Sequence, residues 1–171
     1  LTYFKEVELL LANPDEDLDQ ELLLQNIYDE MKNHEASLAS DKKGSQIMDK
    51  LLSMSTQAQI RSFFAGFRGY FVFLCTNRYS SHVLQHILRM AGQLIQDELA
   101  EQQSGETEGQ EDKEGGLGMR ELISAQFDEL HADTKWIWLM QDISASHVLR
   151  SLCCVLSGRK LAPDKRGKHA K

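Results

Sequence analysis

Apolar residues recur along most of the chain at the three- and four-residue steps of a helix. From Gln20 to Lys32 they fall at Leu22, Leu23, Ile27 and Met31. A second stripe runs through Ile60, Phe63, Phe64 and Phe67 and stops at Gly69, and a third through Leu122, Phe127 and Leu130. This spacing predicts amphipathic helices with one buried face each. The only two prolines, Pro14 and Pro163, stand near the ends and leave the middle free of helix breakers.

A repeat runs through the same pattern. Three segments align without gaps: LASDKKGSQIMDKLL from Leu38, LCTNRYSSHVLQHIL from Leu74 and LMQDISASHVLRSLC from Leu139. Each reads Leu, two residues, Asp or Asn, two residues, a small residue, then Ser. Gln or His follows, then paired apolar and polar positions. The shared serine recurs after 36 residues, from Ser45 to Ser81, and then after 65, at Ser146. The second interval is one period plus 29 residues, and the acidic, Gly- and Gln-rich stretch around Glu101 to Gly118 falls inside it. That stretch is expected to be a disordered insertion between repeats, too polar to pack.

On a helical wheel with Ser81 at the origin, at about 100° per residue, Val83, Leu84, Ile87 and Leu88 take one half. Ser81, His82, Gln85 and His86 take the other. The first unit sets Ile47, Met48, Leu51 and Leu52 against Ser45, Gln46, Asp49 and Lys50. The third sets Val148, Leu149, Leu152 and Cys153 against Ser146, His147, Arg150 and Ser151. Asp41, Asn77 and Asp142 stand four residues before each serine, where a side-chain oxygen caps the first free N–H groups of a helix. Helical units recurring at this period stack into an α-solenoid, in which each unit touches its neighbours. Three units are about the fewest that stack stably.

The polar half carries the functional signal. Residues four apart on a helix are direct neighbours, so the serine, the next residue and the one four on share a face. Stacking lines these triplets up as Ser45, Gln46 and Asp49; Ser81, His82 and Gln85; Ser146, His147 and Arg150. Base-by-base reading of single-stranded RNA needs this arrangement, with two hydrogen-bonding side chains meeting a base edge and a flat one stacking between bases. Each base stacked on an aromatic ring is worth ~1–3 kcal/mol, and the imidazoles at 82 and 147 fit that place. A solvated helix face would explain any one unit. Packing accounts for recurrence of the apolar half, but not for a serine fixed three times in the polar half.

Charge qualifies this picture without reversing it. The formal net charge is −7, unhelpful for a nucleic-acid partner on its face. The 97–114 segment alone has eight carboxylates and one lysine, and the 1–37 segment has ten against two. The last thirteen residues, from Arg159, carry six basic groups and one acid, able to meet phosphates or to serve nuclear import. Net charge therefore says little about any particular face.

Catalytic chemistry is poorly supported. His82 and His86 lie four apart and could clasp a metal ion, but no Glu follows His82 and no third ligand is evident. The glycines of the acidic insert form no phosphate loop. Cys75, Cys153 and Cys154 cannot all pair, and buried, reduced thiols in an intracellular protein are expected. Trp136 and Trp138 are assigned to core or inter-repeat packing. The longest tightly apolar stretch, Tyr70 to Cys75, is far too short to cross a bilayer. No cofactor is expected.

The segment from Asn77 to Leu88 closely resembles the second-helix signature of Pumilio (PUF) repeats. Asp142 to Arg150 resembles it too, and Asp41 to Leu52 more loosely. The opening YFKEVE of Tyr3 to Glu8 and the closing run from Ser146 to Gly158 are similar to a narrower, nucleolar group of Puf-like proteins. The resemblance implies an all-α fold, an α-solenoid of Pumilio-like repeats. It also implies a non-enzymatic protein that binds ribosomal RNA precursor during maturation of the small-subunit (18S) rRNA, with pre-ribosomal proteins as further partners. Full members of that group carry more repeats, so the chain is expected to be an N-terminal portion. By the PUF pattern, Ser81 with Gln85 resembles an adenine-reading pair. Ser45 with Asp49 approaches the Ser and Glu pair associated with guanine, one carbon short. Ser146 with Arg150 resembles a pair linked to cytosine. Histidine replaces the commoner tyrosine at 82 and 147, and Gln46 supplies no ring, which implies looser base specificity. The expected organisation is a helical cap and first helix over 1–37, the rest of repeat one over 38–55 and repeat two over 56–96. An acidic insertion over 97–118, repeat three over 119–158 and a basic tail over 159–171 complete it. The rival is a peptide-binding scaffold of the armadillo or HEAT kind, whose ~40–47-residue period is longer than 36.

Overall fold

The computed structural model describes residues 20–104, 118–132, 136–159 and 161. The YFKEVE opening, most of the acidic insert and nearly all of the basic tail lie outside these residues. Among the described residues the regular elements are all helices. They are α1 (Gln20–Met31), α2 (Glu35–Ser40), α3 (Lys42–Leu52), α4 (Gln57–Ala65), α5 (Phe71–Thr76), α6 (Ser80–Ser104), α7 (Met119–Ala132), α8 (Trp136–Gln141) and α9 (Ile143–Leu156).

The period seen in the sequence appears as three families of equivalent helices. The serine-led segments form α3, α6 and α9, and these pack side by side, α3 on α6 and α6 on α9. A short helix precedes each of them: α2, α5 and α8. The apolar stripes ahead of those form α1, α4 and α7, with α4 packed on α7 and Tyr28 of α1 edge-on to Phe63 of α4 at 6.0 Å between ring centroids. Neighbour-on-neighbour packing of like elements defines a solenoid.

The sequence explains why each segment folds as it does. Asp41 accepts from the Lys43 and Gly44 N–H groups, Asn77 from those of Tyr79 and Ser80, and Asp142 from that of Ala145. All three expected caps are therefore made. Thr56 and Gln59 add a capping box at the start of α4. The chain turns sharply between each short helix and the next long one, which is why the residue before the serine is small. A Cβ on Gly44 would lie 2.3 Å from the carbonyl oxygen of Leu38. One repeat on, fully buried Ser80 meets the equivalent carbonyl of Leu74 and donates its hydroxyl to it at 2.7 Å.

One continuous apolar core runs through the units. Val83, Leu84, Ile87, Leu88 and their first-repeat counterparts Ile47, Met48, Leu51 and Leu52 are all buried, as the wheel requires. Phe63, Phe64, Phe67 and Phe71 form a chain of edge-to-face ring contacts. Burying a large apolar side chain contributes ~1.5–3 kcal/mol, so these rings dominate the middle of the array.

Four expectations need correction. Leu22 is exposed, because the buried face of α1 runs through Leu24, Ile27, Tyr28 and Met31. Residues 97–104, assigned to the insertion, are instead helical, since α6 continues to Ser104. Trp138 is 54 % exposed rather than core, and the Trp136 side chain lies outside the description. Cys153 is exposed and Cys154 partly so, while Cys75 is buried. The exposure of Cys153 has its cause in the repeat, whereas Trp138 is exposed as its repeat equivalent Phe73 is. Met140 aligns with Ala39 and Cys75, and Cys153 with Leu52 and Leu88. The earlier residues of both sets are covered by the next unit along. In the third unit they face outward, and Met140 is 64 % exposed.

Candidate nucleic-acid interface

The nine residues singled out by the repeat lie on three adjacent helices, each unit's triplet beginning in the first turn of α3, α6 or α9. Their exposure follows a consistent rule. Gln46, His82 and His147, each immediately after the serine, are exposed, and so is Arg150. Asp49, Gln85 and Ser146 are half-buried. The serines lie deeper than the polar half of the wheel suggested: Ser45 is 8 % exposed and Ser81 only 1 %. The wheel itself contains the reason, since Ser81 stands only about 20° from Leu88 and so borders the core.

The hydroxyls are also committed in a common way. Ser45 donates to the Lys42 carbonyl at 3.1 Å, Ser81 to Arg78 at 3.3 Å and Ser146 to Ile143 at 2.9 Å. A serine that donates into its own first turn keeps its oxygen lone pairs, so toward a ligand it acts as an acceptor.

The fourth-position side chains differ. Gln85 donates its amide to the Ser81 carbonyl at 3.1 Å, which leaves its own carbonyl oxygen as an acceptor. Asp49 accepts on Oδ1 from His86 Nδ1 of the following repeat, at 2.9 Å. An ionised carboxylate only accepts, so the imidazole is the donor. Arg150 presents an exposed fork of donors suited to a base edge or a phosphate. The array thus offers acceptors at the first unit, an amide with both an acceptor and an N–H donor at the second, and donors at the third. Beside it, Arg78 lies over the Tyr79 ring at 5.2 Å from the centroid.

His86 is bonded through Nδ1 to Asp49, and among the described residues no group of three or more His, Cys, Asp or Glu is placed to join His82 and His86 around a metal ion. The sequence pattern missed His86 as a partner of the first unit. The signal that could have found it is its position directly after Gln85, on the side of α6 that packs on α3. Among the described residues, no helix is long and apolar enough to cross a membrane.

Comparison with known proteins bears on the fold and the family. The family model described as the NOP9-like PUF repeat domain matches residues 33–171. A protein of Neurospora crassa named Nucleolar protein 9 is 32 % identical over 164 residues, covering 93 % of this chain and 21 % of its own length. Its namesake in Podospora anserina is 33 % identical over 167 residues, covering 93 % and 20 %. The chain thus spans about a fifth of these relatives. Among solved structures, APUM23 with GGAGUUGACGG superposes with a TM-score of 0.74 at 21 % identity, over 99 % of this chain and 28 % of that one. APUM23 with GGAUUUGACGG gives the same TM-score over 95 % and 27 %. That likeness shows the fold. The repeat, the helix families and the family match converge: the chain belongs to the NOP9-like PUF repeat domain family.

Proposed function

We propose that this chain binds single-stranded RNA along the row formed by α3, α6 and α9, without catalysing a reaction. The observation that carries the reading is the equal placement of three polar triplets on neighbouring, mutually packed helices. Gln46, His82 and His147 are exposed at the same register of the three helices, and in this reading their flat groups sit between successive bases. The side chains at 49, 85 and 150 supply the edge contacts; half-buried Ser146 and the rim of Ser45 add acceptor lone pairs, while Ser81, at 1 % exposure, backs its neighbours. Asp49 with Ser45 presents acceptors alone, which fits the adjacent N–H donors of guanine. Gln85, with its carbonyl oxygen and the second N–H of its amide, fits the donor and acceptor of an adenine edge. Arg150 fits cytosine or a phosphate.

By likeness to relatives named Nucleolar protein 9, the proposed setting is the nucleolus, and the ligand proposed for that setting is ribosomal RNA precursor during maturation of the small-subunit (18S) rRNA. Pre-ribosomal proteins are proposed as additional partners.

The test is fluorescence polarisation with labelled single-stranded RNA at several salt concentrations. Replacing Ser81, His82 and Gln85 together by alanine should weaken binding roughly ten-fold or more, given the value of one stacked and bonded base. Helicity should be unchanged. Equal affinity in the triple variant would reject the site, and the absence of salt-dependent RNA binding would favour a peptide-type groove instead.

A further inference from the structure

We propose that His86 is a positioning residue for the first base site: it reaches across the junction between repeats and holds the Asp49 carboxylate in the orientation that reads a base. The inference rests on the base-reading role of Asp49 proposed above.

The geometry is asymmetric in an informative way. The two side chains meet at 2.9 Å, yet His86 is 23 % exposed and Asp49 is 48 % exposed. The ring is the covered, fixed end of the pair, and the carboxylate is the open end. Oδ1 faces the ring, so Oδ2 is the atom left to meet a ligand. An aspartate at a half-open helix position otherwise spreads over several rotamers. A bond to a packed neighbour selects one, so less freedom is lost when a base arrives. The acid is one carbon shorter than the glutamate of the guanine-type pair, and a shorter arm tolerates less misplacement.

The tie is also particular to this junction. The equivalent pair at the next junction is Gln85 with Ser151. There Ser151 donates into its own helix, to the His147 carbonyl at 3.1 Å, and Gln85 bonds the Ser81 carbonyl. A general packing device would recur with the repeat, whereas this pair appears where the reading residue is an acid. His86 directly follows Gln85 in the sequence, so one residue borders two consecutive base sites.

The experiment is selection from a pool of randomised short RNAs by the full chain, read as base preference at each position. Asp49→Ala should flatten one position. His86→Leu should weaken that same preference about five-fold, in the range expected for one lost hydrogen bond, and leave the position set by Gln85 intact. His86→Asn, whose amide nitrogen occupies the place of Nδ1, should restore it. Two outcomes overturn the inference alone: His86→Leu leaves untouched the position that Asp49→Ala flattens, or it weakens all positions alike as a general packing defect would. If Asp49→Ala flattens no position, the reading of the first base site falls and the inference with it.

Discussion

Glu129 accepts the backbone N–H of Phe71 at 2.8 Å on Oε1, across 58 residues of chain, and that of Gly69 at 2.7 Å on Oε2. One carboxylate from α7 therefore caps the start of α5 and holds a turn in which Gly69 adopts a φ of +83°. Short helices such as α5 are marginal by themselves and rely on such support. Glu129→Ala leaves both N–H groups without this partner and should cost about 2 kcal/mol. Urea unfolding followed by circular dichroism measures it, and an unchanged midpoint would mean the cap is dispensable.

The tight crossing between each short helix and its serine-led helix predicts a second sensitivity. Ser80→Val removes the hydroxyl bonded to the Leu74 carbonyl and adds bulk at a fully buried site. A loss of about 2 kcal/mol or more is expected, combining an unpaired carbonyl with overpacking. Ser80→Ala should be milder, because Ala145 already fills the equivalent position. Thermal melting of the two variants side by side checks the order.

Asp41 links stability to pH. The Gly44 N–H and then the Lys43 N–H hold its carboxyl below the usual carboxylate range. A carboxyl depressed on folding contributes stability above its unfolded value, and that contribution is lost as pH falls through the folded value. Asp41→Ala should therefore cost ~1 kcal/mol at neutral pH. Asp41→Asn should keep most of the cap and remove this part of the acid sensitivity. Unfolding midpoints at neutral pH and across the acid range measure both.

The three thiols should separate cleanly in reactivity. Burial pushes the Cys75 thiol far above its usual range, and Glu129 and Asp142 add to this. Cys153 is exposed on α9. The thiolate is the reactive form. Iodoacetamide at mildly alkaline pH should label Cys153 in the folded protein, while Cys75 should react only in denaturant, as read by peptide mass spectrometry. Rapid labelling of Cys75 under native conditions would show that the core opens.

Much of this was legible in the residues because it depends on local rules. Asp41, Asn77 and Asp142 cap as their spacing implies, and Ile47 to Leu52 and Val83 to Leu88 bury as a 3.6-residue period demands. What escaped depends on partners distant in the chain. The Glu129 cap and the Asp49–His86 pair join residues 58 and 37 apart, and no short window contains either. The outward face of Cys153 and Met140 follows from which unit lies next to them, which a repeat pattern does not encode. The depth of Ser45 and Ser81 was present on the wheel but was outweighed by their chemical type.

The central claim is that the exposed residues of α3, α6 and α9 together face one RNA strand. Ultraviolet crosslinking of the full chain to 4-thiouridine-substituted single-stranded RNA, with crosslinked peptides identified by mass spectrometry, tests it most directly. Adducts should concentrate on the peptides carrying Gln46, His82 and His147. Adducts confined to α4 and α7, with those three peptides unmodified, would contradict it.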